Sequence, residues 1–192
     1  MLQRIFDVLF VVLIFPLLAT FILIICLTNL IFLGKPIFFI HKRSGLNAKQ
    51  IQIIKFRTMK YFNQKEKSIS KYGLFLRKTK LDELPQIFNL IKGDLTLVGP
   101  RPLYMEYNKL FSKEHKLRLL LKPGITGWAQ VKEYDDISWK EKFDLDIWYY
   151  YNKSIFIDLL IILKTLIKII KSFFIKNQFS RKMSKFKGYK HD

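Results

Sequence analysis

The sequence predicts an α+β protein built on a membrane. It expects an N-terminal membrane-embedded helix, a small globular domain of helices with a short β-hairpin, and an amphipathic, interfacial C-terminal helix. Three observations carry this. No residue in 8–33 is charged. Two strand-like runs, 37–40 and 50–57, flank a basic turn. Residues 155–175 are strongly apolar yet carry Lys164, Lys168 and Lys171 at helical spacing.

The first of these sets the class. A helix rises about 1.5 Å per residue and a bilayer core is about 30 Å thick, so residues 8–33 are long enough to span it. The run is too long for a signal-peptide core, and no small-x-small cleavage site precedes Lys35. Nearly all Lys and Arg follow Leu33, which places the globular part on the cytoplasmic side. Arg4 and Asp7 must stay near an interface, because a charge at the bilayer centre costs at least ~2.5 kcal/mol. Pro16 lies inside the run. It removes a backbone donor and clashes with the preceding turn, so a kink is expected near residues 13–15. The residues alone leave two paths open, a crossing helix and one that dips in and returns.

Charge narrows the partners. With 34 Lys and Arg against 15 Asp and Glu, the net charge of +19 selects a negative surface. Anionic lipid and phosphorylated substrates fit; nucleic acid is disfavoured by the apolar anchor. The single cysteine, Cys26, forbids an intramolecular disulfide and sits in the apolar block.

Beyond Gly34-Lys35-Pro36 the two strand-like runs form a hairpin with a basic tip at residues 41–47. Residues 61–70 are polar and read as a loop, and 74–78 as a short helix. In Leu81-Asp82-Glu83-Leu84-Pro85-Gln86, the apolar residues Leu84, Ile87, Phe88 and Ile91 recur at helical spacing. Pro85 fits only a first turn, so Asp82 falls at or near the N-cap with Glu83 just inside. Two readings stand at this point. The pair caps a helix, or it faces a phosphate or a metal-bridged diphosphate at the helix start.

Lys92-Gly93-Asp94 leads to Gly99-Pro100-Arg101-Pro102, a loop stiffened by prolines that presents one guanidinium. It suits a phosphate clamp or a structural turn. Residues 104–121 read as one helix. Gly124-Ile125-Thr126-Gly127 makes tight backbone that could approach a ligand. Residues 138–151 read as a further helix carrying Asp144 and Asp146. In 155–175 the three lysines share one face and reach for headgroups, with Ile, Leu and Phe opposite. Residues 176–192 are expected to be a basic, disordered tail.

Four motifs in order, Lys55-Phe56-Arg57-Thr58-Met59, Leu81 through Gln86, Gly93-Asp94 through Pro102, and Pro123 through Val131, resemble the bacterial sugar transferase family. These are monotopic phosphoglycosyl transferases acting on polyprenyl phosphate. The length is similar to the minimal single-domain form, the bacillosamine-type enzyme of N-linked glycosylation. The resemblance implies a domain plan of anchor 1–34, cytoplasmic catalytic domain 35–154, interfacial helix 155–175 and tail 176–192. It implies a UDP-sugar and undecaprenyl phosphate as substrates, Mg²⁺ as cofactor, and an anionic inner membrane as location, with the catalytic domain on the cytoplasmic face. Asp82 is the implied nucleophile and, with Glu83, the metal partner. Arg101, Lys55, Arg57 and Asp146 are implied to meet substrate or phosphate. A re-entrant anchor is implied too; where relatives usually have Ser-Pro this chain has Phe15-Pro16, so the bend rests on Pro16 and on Arg4 at the interface.

Overall fold

The computed structural model describes residues 2–62, 66–132, 137–174 and 184–189, and only the backbone of residues 2, 61, 62, 66, 67, 173 and 174. The chain forms two compact units, Met1–His41 with Gln52–Lys92, and Lys42–Ile51 with Gly93–Asp192.

The first unit begins with helix α1, Leu2–Leu33. Its 32 residues span about 48 Å at the α-helical rise, more than a bilayer core needs. It is long and apolar enough to cross a membrane, and little of it is buried by protein. The helix runs without a break through Pro16. Both of its ends are tied to the same unit. At the start, the Arg4 guanidinium donates to the carbonyls of Leu90 and Ile91, each at 2.5 Å. At the end, Asn29 Nδ2 donates to the carbonyls of Ile37 and Arg57, and Thr28 Oγ1 meets Tyr72 Oη at 2.7 Å. Asn29 is fully buried there.

Strands β1, Phe38–Ser44, and β2, Gln50–Phe56, pair as the expected hairpin. The turn between them holds Asn47 and Ala48 at positive φ. The polar stretch expected as a loop is instead a second hairpin, with β3, Met59–Phe62, antiparallel to β4, Glu66–Ile69. A hairpin satisfies its backbone groups by pairing, whatever its side chains, so polar composition was a poor guide here. Residues 63–65 lie outside the described residues. Helix α2, Lys71–Lys78, starts on Ser70, whose hydroxyl accepts from the Gly73 amide. A Cβ on Gly73 would sit 2.0 Å from the Thr58 carbonyl oxygen, so glycine lets α2 press onto the Lys55–Met59 motif. After a 3-10 turn, Leu81–Glu83, helix α3 runs Gln86–Lys92. Asn89 fixes α3 to β2: its Oδ1 accepts from the Ile54 amide and its Nδ2 donates to the Gln52 carbonyl.

In the second unit, β5, Thr96–Val98, and β6, Gly124–Thr126, form a short parallel pair. Gly99, Gly124 and Gly127 pack backbone on backbone; a Cβ on Gly124 would lie 2.1 Å from the Gly99 nitrogen. The tight glycines thus serve the Gly99–Pro102 loop itself. Residues 104–121 are not one helix. They form two 3-10 turns, Met105–Lys109 and His115–Leu120. Ser112 causes the break, since its hydroxyl takes the His115 amide and competes with helical pairing. Short α4, Trp128–Lys132, leads to α5, Trp139–Asn152, which opens with a capping box of Ser138 and Glu141.

Helix α6, Ile155–Phe174, packs by Ile161 and Thr165, the latter 2.6 Å from Thr126 Oγ1. The opposite stripe, including Phe156, Leu159, Leu163, Ile167 and Ile170, is exposed. Two lysines expected to reach headgroups turn onto α4: Lys168 Nζ donates to the Gln130 carbonyl and Lys164 lies over the Trp128 ring. Of the expected tail, residues 184–189 are ordered against the unit, with Phe186 only 3% exposed. The rest of that tail, 176–183 and 190–192, lies outside the described residues.

Candidate active site

A cleft of about 420 Å³ opens in the first unit, lined by Phe39 and His41 of β1, Lys55 and Phe56 of β2, Thr58, Met59, Arg77 of α2, Lys80, Asp82 and Glu83. Local rules bring these together. Lys80 takes a left-handed conformation, φ 61°, which ends α2 and turns the chain into the tight Leu81–Glu83 helix. That is why Asp82 lies in a 3-10 turn and not at the N-cap of α3, where the sequence pattern placed it. Pro85 directly precedes α3, where its missing donor is not needed.

Asn89 then sets the distance. By fixing α3 to the edge of β2 at residues 52–54, it brings Lys55 Nζ to 2.5 Å from Glu83 Oε1. Arg77 is aimed by Thr58, whose Oγ1 accepts from Arg77 Nε at 2.9 Å. Asp82 is desolvated, and among the described residues its carboxyl has no side-chain hydrogen bond. Burial first, and the Glu83 charge second, push its pKa up from 3.8 to about 6, against the pull of Lys55, Lys80 and Arg77. A carboxylate poorly solvated and held among cations is a reactive anion with its counter-charges already placed.

The other expected site residues fall elsewhere. Arg57 is buried, and its Nη2 donates to the carbonyls of Leu33 and Gly34, closing the C-terminal end of α1. Arg101 and Asp146 belong to the second unit. There Asp146 is 4% exposed and accepts from Arg118 Nε and Nη2 at 3.0 and 2.8 Å. Arg118 Nη2 also donates to the Arg101 carbonyl at 2.9 Å. Arg4 bonds backbone carbonyls at the end of α3, and Pro16 lies within α1. The sequence reading missed His41, Thr58, Arg77, Lys80, Asn89 and Arg118. Asn89 left no signal in the apolar pattern, since the stripe's Phe88 and Ile91 are exposed while Asn89 is buried; Arg118, one cation among many, left none either.

The donor set bears on a metal. Among the described residues no cluster of three or more His, Cys, Asp and Glu is found, so a cation held by protein alone does not fit. Mg²⁺ shared with phosphate oxygens does, since it is commonly bound through one or two carboxylates with water and phosphate completing its shell. Asp82 and Glu83 supply two carboxylates whose mutual repulsion a divalent cation relieves.

The first unit thus combines a helix long and apolar enough to cross a membrane with a cleft that gathers two carboxylates and several cations. The chain belongs to the bacterial sugar transferase family, whose model matches residues 1–172. It is 40% identical to an uncharacterised sugar transferase, EpsL, of Bacillus subtilis, over 89% of this chain and 88% of that protein. It is 34% identical to the UDP-N-acetylgalactosamine-undecaprenyl-phosphate N-acetylgalactosaminephosphotransferase of Aeromonas hydrophila, over 72% of this chain and 36% of that protein. It is also 34% identical to the UDP-glucose:undecaprenyl-phosphate glucose-1-phosphate transferase of Escherichia coli, over 88% of this chain and 40% of that protein. The chain thus spans well under half the length of these two named relatives.

Proposed function

We propose that the protein transfers the phospho-sugar of a UDP-sugar to undecaprenyl phosphate, releasing UMP, and so begins assembly of a bacterial surface glycan or glycoprotein. The observation that carries this reading is Asp82, desolvated and without a hydrogen-bond partner among the described residues, beside the Lys55–Glu83 pair and flanked by Arg77 and Lys80.

Asp82 attacks the β-phosphorus of the UDP-sugar. A bond forms between its carboxylate oxygen and phosphorus, and the bond from phosphorus to the bridging oxygen breaks, so UMP leaves with that oxygen. The phosphosugar is then an acyl phosphate on Asp82. An oxygen of undecaprenyl phosphate attacks the same phosphorus and the Asp82 oxygen departs, restoring the carboxylate. No net proton is needed in either half. Lys55 holds Glu83 in place, and Arg77 and Lys80 offset the charge of the incoming diphosphate. Asp82 and Glu83 would hold Mg²⁺, which when bound neutralises phosphate charge. Arg101, presented by the Gly99–Pro102 loop, is proposed to bind phosphate.

The detergent-purified protein, given UDP-N-acetylhexosamines, UDP-glucose and UDP-galactose one at a time without lipid acceptor, should release about one UMP per enzyme with one of them. Mass spectrometry should then find the phosphosugar on the Asp82 peptide, and added undecaprenyl phosphate should make UMP release catalytic. No UMP from any donor sinks the transferase reading; UMP without an adduct sinks the aspartyl step.

We further propose that α1 enters and leaves on the cytoplasmic face. Arg4 at one end and Asn29 and Thr28 at the other all bond the same unit, which favours a bent path over a straight crossing. In a Cys26→Ser background, Gln3→Cys and Lys35→Cys should both react with an impermeant maleimide in inside-out vesicles. Labelling of the two from opposite sides establishes a crossing helix instead.

A further inference from the structure

We propose that residues 184–189, beyond the 1–172 that the family model matches, form a latch that positions Arg118 and through it the Gly99–Pro102 loop. Contacts within the second unit carry this.

The latch has its own anchors. Phe186 is 3% exposed, its ring 5.1 Å from Phe143, 5.6 Å from Tyr107 and 5.8 Å from Trp139. Gly188 at φ +101° makes a bend that favours glycine and turns Tyr189 back onto the unit. Its backbone is satisfied by side chains of the unit: the Phe186 amide donates to Tyr107 Oη, and Trp139 Nε1 donates to the Ser184 carbonyl. Tyr189 Oη accepts from the Ser112 amide and lies 2.5 Å from His115 Nδ1, while His115 Nε2 meets Asp144 Oδ1 at 2.7 Å.

What it holds has weak order of its own. The two 3-10 turns, Met105–Lys109 and His115–Leu120, are short and their hydrogen-bond geometry is poor, so packing must fix them. Tyr107 and His115 within the turns, and Ser112 between them, all meet the latch. Arg118 lies in the second of these turns. Its guanidinium lies 5.3 Å from the Phe111 ring and 5.5 Å from the Phe143 ring, and both rings touch Phe186. Arg118 then donates to the Arg101 carbonyl. Arg118 is therefore a positioning residue, and Phe186 and Tyr189 act behind it. The latch explains why Lys-rich chain past α6 carries a Phe and a Tyr at this spacing.

The test is hydrogen exchange on the full chain, on Phe186→Ala, on Phe186→Leu and on a chain ending at residue 183. Phe186→Ala and the truncation should speed exchange about tenfold in peptides covering 105–121 and 99–104, with α3 unchanged. Phe186→Leu should recover most of the protection. Turnover gives a second arm that rests on the transferase reading. There kcat/KM should fall about ten- to a hundredfold on truncation, and a synthetic peptide of residues 184–192 should restore it saturably while the Phe186→Ala peptide does not. Unchanged exchange at 99–104, full activity after truncation, or loss of protection throughout both units each overturns the latch. If the full chain turns over no UDP-sugar, the transferase reading fails and the exchange arm still judges the latch.

Discussion

Asp82→Asn is expected to abolish turnover and, at neutral pH, to make the protein more stable. The reasoning starts from the carboxyl, which burial and Glu83 hold at a pKa of about 6 against 3.8 for the ordinary group. The folded pKa is raised, so ionising Asp82 costs the folded state. That cost is absent below the unfolded pKa, grows as pH rises from about 4 to about 6, and is complete above. At about 1.36 kcal/mol per unit it reaches up to about 3 kcal/mol. Asn is neutral and nearly isosteric but still needs desolvation, so it should recover part of this, about 1–3 kcal/mol. For a chain of this size that is a rise in Tm of roughly 2–10 °C. Melting curves of both proteins at pH 4.5 and pH 8 decide the matter: the gap should open at pH 8 and nearly close at pH 4.5. Equal Tm at both values means that Asp82 does not bear its charge at a cost.

The same pKa shapes catalysis. If the carboxylate is the attacking group, kcat/KM for the UDP-sugar should fall tenfold per unit below about pH 6 and level off above it. Loss of the nucleophile in Asp82→Asn should reduce turnover by at least about 10⁴-fold. Residual activity within tenfold of the parent would falsify the nucleophilic role. Greater stability with lost activity is the joint outcome a strained reactive group produces.

What the sequence made legible, and what it did not, follows from range. Periodicity within a segment is a local property, and it located α1, β1, β2, α2, α5 and α6 to within a few residues. The order of the motifs pointed to the family. Composition misled where backbone pairing decides, as in the β3–β4 hairpin, and where a side chain competes with the helix, as Ser112 does. Partnerships across the chain were out of reach. Nothing near Arg57 announces that it closes on the carbonyls of Leu33 and Gly34, and nothing near Lys55 announces that Asn89 brings it to Glu83. Asp146 shows the same limit. Its charge was visible in the sequence, but its buried partner Arg118 was not.

That buried pair carries the second large effect. Arg118→Met should destabilise the protein by about 3–5 kcal/mol, since it leaves Asp146 buried with no counter-ion and removes the donor from the Arg101 carbonyl. Burial already pushes the Asp146 pKa up, and Arg118 is the main force opposing that. In the variant the carboxyl shifts further up and takes a proton where it can. The sign follows: with a raised folded pKa, the variant is least impaired in acid and loses stability as pH rises above the unfolded carboxyl range. The Tm deficit against the parent should therefore widen from pH 5 to pH 8. Replacing both partners, Arg118→Met with Asp146→Leu, removes the stranded charge and should recover most of the stability, because an apolar pair of similar volume tolerates burial. It should not recover kcat/KM, because the Arg101 carbonyl still lacks its donor. Urea unfolding of the two single variants and the double variant gives the coupling between the pair. A coupling below about 0.5 kcal/mol would mean that the Arg118–Asp146 contact is incidental. Restored activity in the double variant would show that the charge pair served the fold alone and that Arg118 has no hold on the Arg101 loop.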